Sequence, residues 1–218
     1  MGRRFDLLVF DWDGTLMDSA AHIAAALQQA FRDLALPVPS GAAARHVIGL
    51  GLHDAMMYLN PGLDRNRYEE VADRYRVHFL AGDQDVGLFP AVATGLPKLN
   101  LDGYLMAVAT GKSRRGLDRA LSATGLAPYF HASRCADEGF PKPHPDMLHA
   151  VMDMLGTLPG RTLMIGDTTH DLQMAQNAGV ASVAVSYGAH VLSDLESMKP
   201  LGCVDSFEQL MQWLQQNG

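Results

Sequence analysis

Cysteine is nearly absent from this chain: of 218 residues only Cys135 and Cys203 carry a thiol. They stand far apart, in no spacing that suits a metal site or a redox pair, so two free thiols in a reducing compartment are expected and no disulfide framework. Basic residues are also scarce, 17 Lys and Arg against 24 Asp and Glu, for a formal charge of −7. That balance speaks against a nucleic-acid partner, because affinity for a phosphate backbone rests on clustered Lys and Arg. The one dense basic group is Lys112, Arg114, Arg115 and Arg119. It reads first as a solvated helix face and second as a local field that steers a small anion. No apolar run reaches the ~18 residues of a membrane span. The short one behind Arg3 and Arg4 stops at Asp11, too early for a signal peptide with its cleavage site. Asp6 stands where a myristoylation motif needs Ser or Thr. A cytoplasmic protein with no membrane partner is the expectation, and repeats or low-complexity tracts are not evident.

What the chain does have is apolar residues, 48% of the total, enough to bury a sizeable core. The stretch that organises the rest is Leu7-Leu8-Val9-Phe10-Asp11-Trp12-Asp13-Gly14-Thr15-Leu16. An unbroken apolar run ending abruptly in two acids reads as a buried strand whose C-terminal end opens into a polar site. Side chains at i and i+2 of an extended chain point the same way, so Asp11 and Asp13 face one pocket and Trp12 another. Gly14 then lets the backbone turn away. Two carboxylates ~4 Å apart repel by roughly 4 kcal/mol at an effective dielectric of ~20. A cation belongs beside them, and a hard divalent ion such as Mg2+ suits clustered aspartates.

Behind this stretch Ile23, Leu27, Phe31 and Leu34 recur at helical spacing until Pro37 and Pro39 end the pattern. A shorter helix from Ser40 runs into Gly49-Leu50-Gly51. This is a break rather than a dinucleotide fingerprint, since no third glycine and no βαβ unit accompany it. A helix over 53–59 closes at Asn60-Pro61-Gly62, and Tyr68, Val71, Tyr75 and Phe79 mark another. From Val86 strands alternate with helices, with strands expected at 105–109, 130–135, 162–165 and 180–185. The last helix opens on a capping box, Ser206 with Gln209. Alternation of this kind implies an α/β fold with a doubly wound parallel sheet. The expected division is a discontinuous core, residues 1–17 and 84–218, with a helical cap inserted at 18–83.

Ligands of such sheets bind beyond the C-terminal strand ends, which makes the residue after each strand the place to look for chemistry. The strand at 105–109 runs into Thr110-Gly111-Lys112-Ser113, a hydroxyl and free amides at a helix start that can cradle an anion. Past 130–135 comes a single lysine in a proline-stiffened turn, Phe140-Pro141-Lys142-Pro143-His144-Pro145. The strand at 162–165 ends in Gly166-Asp167-Thr168-Thr169-His170-Asp171, where Asp167 can cap the next helix or, with Asp171, hold a cation.

Taken in order and separation, these motifs resemble those of the haloacid dehalogenase-like (HAD) hydrolases across essentially the whole chain. The phosphoglycolate-phosphatase-like members with a small helical cap are the nearest in pattern. The resemblance implies Mg2+-dependent hydrolysis of a small phosphorylated metabolite through an aspartyl-phosphate. It assigns Asp11 as nucleophile, Asp13 as general acid and base, and Thr110, Gly111 and Lys142 to the phosphate. It places Mg2+ on Asp11, the Asp13 carbonyl and Asp167, with Asp171 supporting. Gly111 departs from the pattern, since many relatives carry Asn there. Dehalogenases lack the second aspartate of the first motif and mutases often have an apolar residue at the place of Thr15, so a phosphatase is favoured over a phosphomutase. A phospho-receiver module is a more distant alternative, because its acceptor follows the third strand and it has no helical insertion. Arg45 and His46, with His53, flank the glycine-containing turn and are candidates to read the substrate.

Overall fold

Leu7–Phe10 forms β1, and every one of its side chains is buried, as a strand covered on both faces requires. The computed structural model describes residues 3–82 and 86–218. All strands are parallel, in the order β3-β2-β1-β4-β5-β6, with β2 at Leu105–Thr110, β3 at Ala132–Cys135, β4 at Thr162–Gly166, β5 at Ala181–Val185 and β6 at Cys203–Val204. Strand β1 is central, and its last residue, Phe10, stands opposite Val108 of β2 and Ile165 of β4. Three strand ends therefore open side by side at the point where the strand order reverses, the crevice in which ligands of such sheets sit.

The two-residue period of the strands sorts the core. Leu8 and Phe10 face a cluster with Val108, Ile165 and Val183, covered by α5 (Val92–Leu101), α6 (Arg114–Thr124) and α10 (Phe207–Asn217). Leu7 and Val9 face the opposite one with Ala107, Ala109 and Met164, covered by α7 (Asp146–Leu155) and α8 (Thr169–Asn177). Each buried Leu, Val or Phe contributes about 1.5–3 kcal/mol of transfer free energy, so this centre holds the strand ends in a fixed arrangement.

Over residues 18–82 the described residues form α1 (Ala20–Asp33), α2 (Gly41–His46), α3 (Leu52–Leu59) and α4 (Tyr68–Ala81), with no strand among them. Leu27, Phe31, Ala44, Val47, Met56, Tyr68 and Val71 give these helices a core of their own. Ile48 and Phe79 pack with Ala189 of the loop after β5, which seats the helical segment on the sheet. The boundary expected at 83 and 84 falls outside the described residues.

Three local features differ from expectation. Strand β6 and the short helix α9 (Leu192–Ser197) were not anticipated, being too brief to carry a period. At α10 only half of the capping box forms: Ser206 accepts from the Gln209 amide, but the Gln209 side chain accepts from the Asp205 amide. A full box stands instead at α8, between Thr168 and Asp171. Both cysteines are free, and burial pushes the Cys135 thiol up to about 12, which keeps it protonated and unreactive at neutral pH. Among the described residues no helix is long and apolar enough to cross a membrane.

Candidate active site

Asp11 follows β1 directly and is 1% exposed. One carboxylate oxygen from each of Asp11, Asp167 and Asp171 lies within 4.8 Å of the others. Asp167 sits at the end of β4, where both its oxygens are held: Thr15 Oγ1 donates to one at 2.8 Å and the Ala189 amide to the other at 2.7 Å. The chain reaches this packing only because Gly14 has a φ of +82° and no side chain. A Cβ there would stand 2.1 Å from Asp167 Oδ2. Asp171 is fixed by the α8 capping box, accepting from the Thr168 hydroxyl at 2.7 Å. Burial, and next the neighbouring acids, push the Asp167 carboxyl well above its ordinary range. Burial likewise raises Asp11, to about 7.

Lys142 answers part of this charge. It is fully buried, with Nζ 2.8 Å from Asp11 Oδ1 and 2.6 Å from Asp171 Oδ1. Burial disfavours its ammonium, but the two carboxylates outweigh that and hold the charged form. Asp11 Oδ1 is thus paired with the ammonium, and Asp11 Oδ2 has no partner among the described residues. Three carboxylates face one ammonium in a buried space, and the balance left is negative. A divalent cation fits this donor set: hard oxygens only, Asp11 Oδ2 without a partner, and an excess of charge that one such ion neutralises.

Asp13 lies on the same side of the turn, raising Asp11 by its charge, while Trp12 packs into the core against Phe130. Its Oδ1 accepts from Ser19 at 2.7 Å and stands 3.0 Å from Lys112 Nζ. Lys112 is the residue the sequence hid. It sits in the basic run that reads as a solvated face, yet its side chain is 11% exposed, paired with Asp13 and lying over the Phe79 ring of α4. Arg114, two residues on, is spent on structure, bonding Glu138, Asp118 and Ser133. Thr110 is buried at the end of β2, its hydroxyl oxygen accepting from the Lys112 amide.

The turn over 46–51 lies directly on these strand ends. A Cβ at Gly111 would meet the Gly49 carbonyl oxygen at 2.7 Å, and one at Gly51 would meet Pro141 at 2.9 Å. The Gly111 departure thus has a local cause, a backbone-to-backbone approach with no room for a side chain. Gly111→Asn is expected to push the turn off the sheet and destabilise the protein by about 1–3 kcal/mol, the cost of overpacking a tight contact. Thermal unfolding checks this, and an unchanged midpoint would remove the constraint. His46 stands at the C-terminal end of α2, its ring beside those of His170 and His190, while Arg45 lies half-buried in the same helical turn. Sequence reasoning pointed to His46 but not to its two partners. Burial pushes His170 down to about 4 and lowers His190 as well, so both rings are neutral at physiological pH.

Fold and site together define an α/β enzyme with an acidic centre at the switch point of its sheet. Residues 8–185 match the model of the family described as Haloacid dehalogenase-like hydrolase, and the chain belongs to that family. It is similar to Probable phosphatase IndB of Dickeya dadantii (strain 3937), 39% identical over 94% of this chain and 91% of that protein. It is also similar to Phosphoglycolate phosphatase of Vibrio parahaemolyticus serotype O3:K6, 30% identical over 94% of each chain. In fold it matches the crystal structure of a predicted phosphatase from Clostridium acetobutylicum, with a TM-score of 0.86 at 24% identity over 97% of this chain and 99% of that one. Within its family the chain is an enzyme of the phosphatase type.

Proposed function

We propose that this phosphatase hydrolyses a small phosphomonoester, phosphoglycolate-like in class, with Mg2+ and through an aspartyl-phosphate on Asp11. The observation that carries this reading is Asp11 itself, a buried carboxylate with one oxygen on Lys142 and the other without a partner, set beside two further acids. Asp11 attacks phosphorus, the ester P–O bond breaks, and Asp13 delivers its proton to the leaving oxygen. Water then attacks the phosphorus of the aspartyl-phosphate and gives a proton to Asp13, and the P–O bond to Asp11 breaks to restore the carboxylate. The Ser19 and Lys112 contacts fall on Asp13 Oδ1, which leaves Oδ2 for the proton transfer. Lys142 balances the charge of nucleophile and phosphate, and Thr110 with the amides around Gly111 binds the phosphate oxygens. Asp11, the Asp13 carbonyl and Asp167 hold Mg2+, with Asp171 in support. The ion, when bound, masks the repulsion between carboxylate and phosphoryl group.

In this reading residues 18–83 are a cap that excludes water and selects the substrate through Arg45 and His46. Two neutral thiols agree with work in the reducing cytoplasm. A receiver module is disfavoured by Asp137, the acid that follows the third strand. It accepts from the Arg114 amide at 2.9 Å, tying the loop after β3 to the first turn of α6, whose N-cap is Ser113.

The test is turnover of p-nitrophenyl phosphate with and without metal, followed by a panel of phosphometabolites. EDTA is expected to abolish turnover and Mg2+ to restore it. Mg2+ at ~100-fold over its dissociation constant should stabilise the fold by about 2.7 kcal/mol if it binds only the native state. Full turnover in EDTA would overturn the carboxylate-nucleophile reading.

A further inference from the structure

The three imidazoles of His46, His170 and His190 present nitrogens within 4.8 Å of one another, an arrangement that invites a transition-metal site. The hydrogen bonds decide otherwise. The Thr169 amide donates to His190 Nδ1 at 3.1 Å, so that nitrogen carries the lone pair and the ring proton sits on Nε2. His190 Nε2 in turn faces the His46 carbonyl oxygen at 3.1 Å, and His170 Nε2 faces the same oxygen at 2.7 Å. A metal on His190 Nε2 would need a ring with no proton on either nitrogen. The His46 and His190 rings are also near parallel, 9° apart with centroids at 5.1 Å, so their in-plane lone pairs do not converge. What remains is a pair of neutral donors from the sheet side aimed at one backbone carbonyl at the end of α2.

We infer that His170 and His190 are positioning residues, a two-donor latch that holds the turn 46–51 down over the strand-end loops of the active site. The latch is tied to the acidic centre on both sides. His170 immediately precedes Asp171. The loop that carries His190 donates its Ala189 amide to Asp167 Oδ2 and its own amide to the Asp167 carbonyl, at 2.7 and 3.3 Å. The turn it holds has glycine at both points of tightest approach, Gly49 on Gly111 and Gly51 on Pro141, so its seat on the strand-end loops has no slack for a side chain. The kinetic part of this inference rests on the phosphatase reading; the structural part does not.

The test is hydrogen exchange at the Ile48 and Leu50 amides, which are bonded within the turn to Arg45 and Val47 carbonyls. In His170→Leu/His190→Leu, which removes both donors at similar bulk, exchange at these amides should rise about 10- to 100-fold over the full-length wild type. Amides of α1 and α4 should hold their protection. His170→Gln/His190→Gln, which restores an N–H at the Nε2 position, should stay within about 3-fold of wild type by the same hydrogen-bond argument. If the Leu pair fails to fold, His190→Leu alone takes its place, with a rise of about 3- to 10-fold expected for one lost donor. Unchanged exchange in the Leu variant, or a Gln variant that exchanges as fast as the Leu variant, overturns the latch. On the phosphomonoester that the wild type turns over best, the Leu variant should raise KM more than it lowers kcat, and the Gln variant should recover both; the reverse split overturns the positioning role. Turnover absent in every form, wild type included, would defeat the phosphatase reading while leaving the exchange result to decide the latch. Titration with Zn2+ alone is expected to show no binding that His190→Gln removes, and a stoichiometric Zn2+ lost in that variant would overturn the donor assignment.

Discussion

Asp11→Asn is expected to abolish turnover while leaving the fold in place. The substitution keeps the size and shape of a side chain that is 1% exposed, so it opens no cavity. It also removes one of three carboxylates crowded around a single ammonium, and Lys142 keeps its partner Asp171 at 2.6 Å. Breaking a buried ion pair usually costs about 3–5 kcal/mol because a charge is left alone. Here the charge left behind is still paired and the one removed was in excess, so thermal stability should be unchanged or raised. An amide does not form the acyl phosphate, and no neighbouring group replaces the lost nucleophile. Turnover on both alkyl and aryl phosphates should therefore fall by at least ~10³-fold, on the scale seen when a covalent nucleophile is deleted. Steady-state rates at saturating Mg2+, read beside a melting curve, check it. A folded variant with wild-type rates would end the assignment of Asp11.

The four strand ends were legible in the sequence because their signals are local. Leu7–Phe10 is apolar without interruption and then turns acidic, and a strand boundary and a polar site are thereby written in adjacent residues. Asp167 and Asp171 follow β4 in the same manner, and Lys142 stands alone among prolines where a lone cation is conspicuous. The helical segment was legible through periodicity, since Ile23, Leu27 and Phe31 do form one buried face. What could not be read is set by tertiary approach. Lys112 looks like its neighbours Arg114 and Arg115 in sequence, and only the fold of the loop after β2 turns it inward to Asp13 while Arg114 turns to Glu138. The pairing of His170 and His190 with the carbonyl of His46 joins residues more than a hundred positions apart. The absence of a side chain at Gly111 has its reason in Gly49, on a different element. At α8 the sequence left two roles open for Asp167, helix cap or acidic centre; Thr168 takes the N-cap position, and Asp167 stands with Asp11 and Asp171.

Asp13 and Asp11 share one turn and one side-chain type, and their variants should fail in different ways. Asp13→Asn keeps an oxygen for the Ser19 hydroxyl, which now meets Asp13 at 2.7 Å, so the side chain should stay where it is. Lys112 loses its counter-charge at 3.0 Å but has the Phe79 ring beside it and partial access to water, so the fold should tolerate the change. What is lost is a proton donor on one oxygen. The weight of that loss depends on the leaving group, because an alkoxide needs its proton as the ester bond breaks and a nitrophenolate barely does. General-acid assistance is typically worth ~10²–10⁴-fold. In the phosphorylation step Asp13→Asn should therefore slow an alkyl phosphate by about that factor and p-nitrophenyl phosphate by about 10-fold or less. Dephosphorylation needs the same group as a base toward water, and it will be slow for both substrates. Steady-state rates would hide the contrast behind that shared step, whereas burst or single-turnover rates isolate the first one. With a slow second step, the aryl substrate should also give a burst close to one product per active site as the aspartyl-phosphate accumulates. Equal losses for the two substrates in the first step would show that Asp13 is not the leaving-group acid.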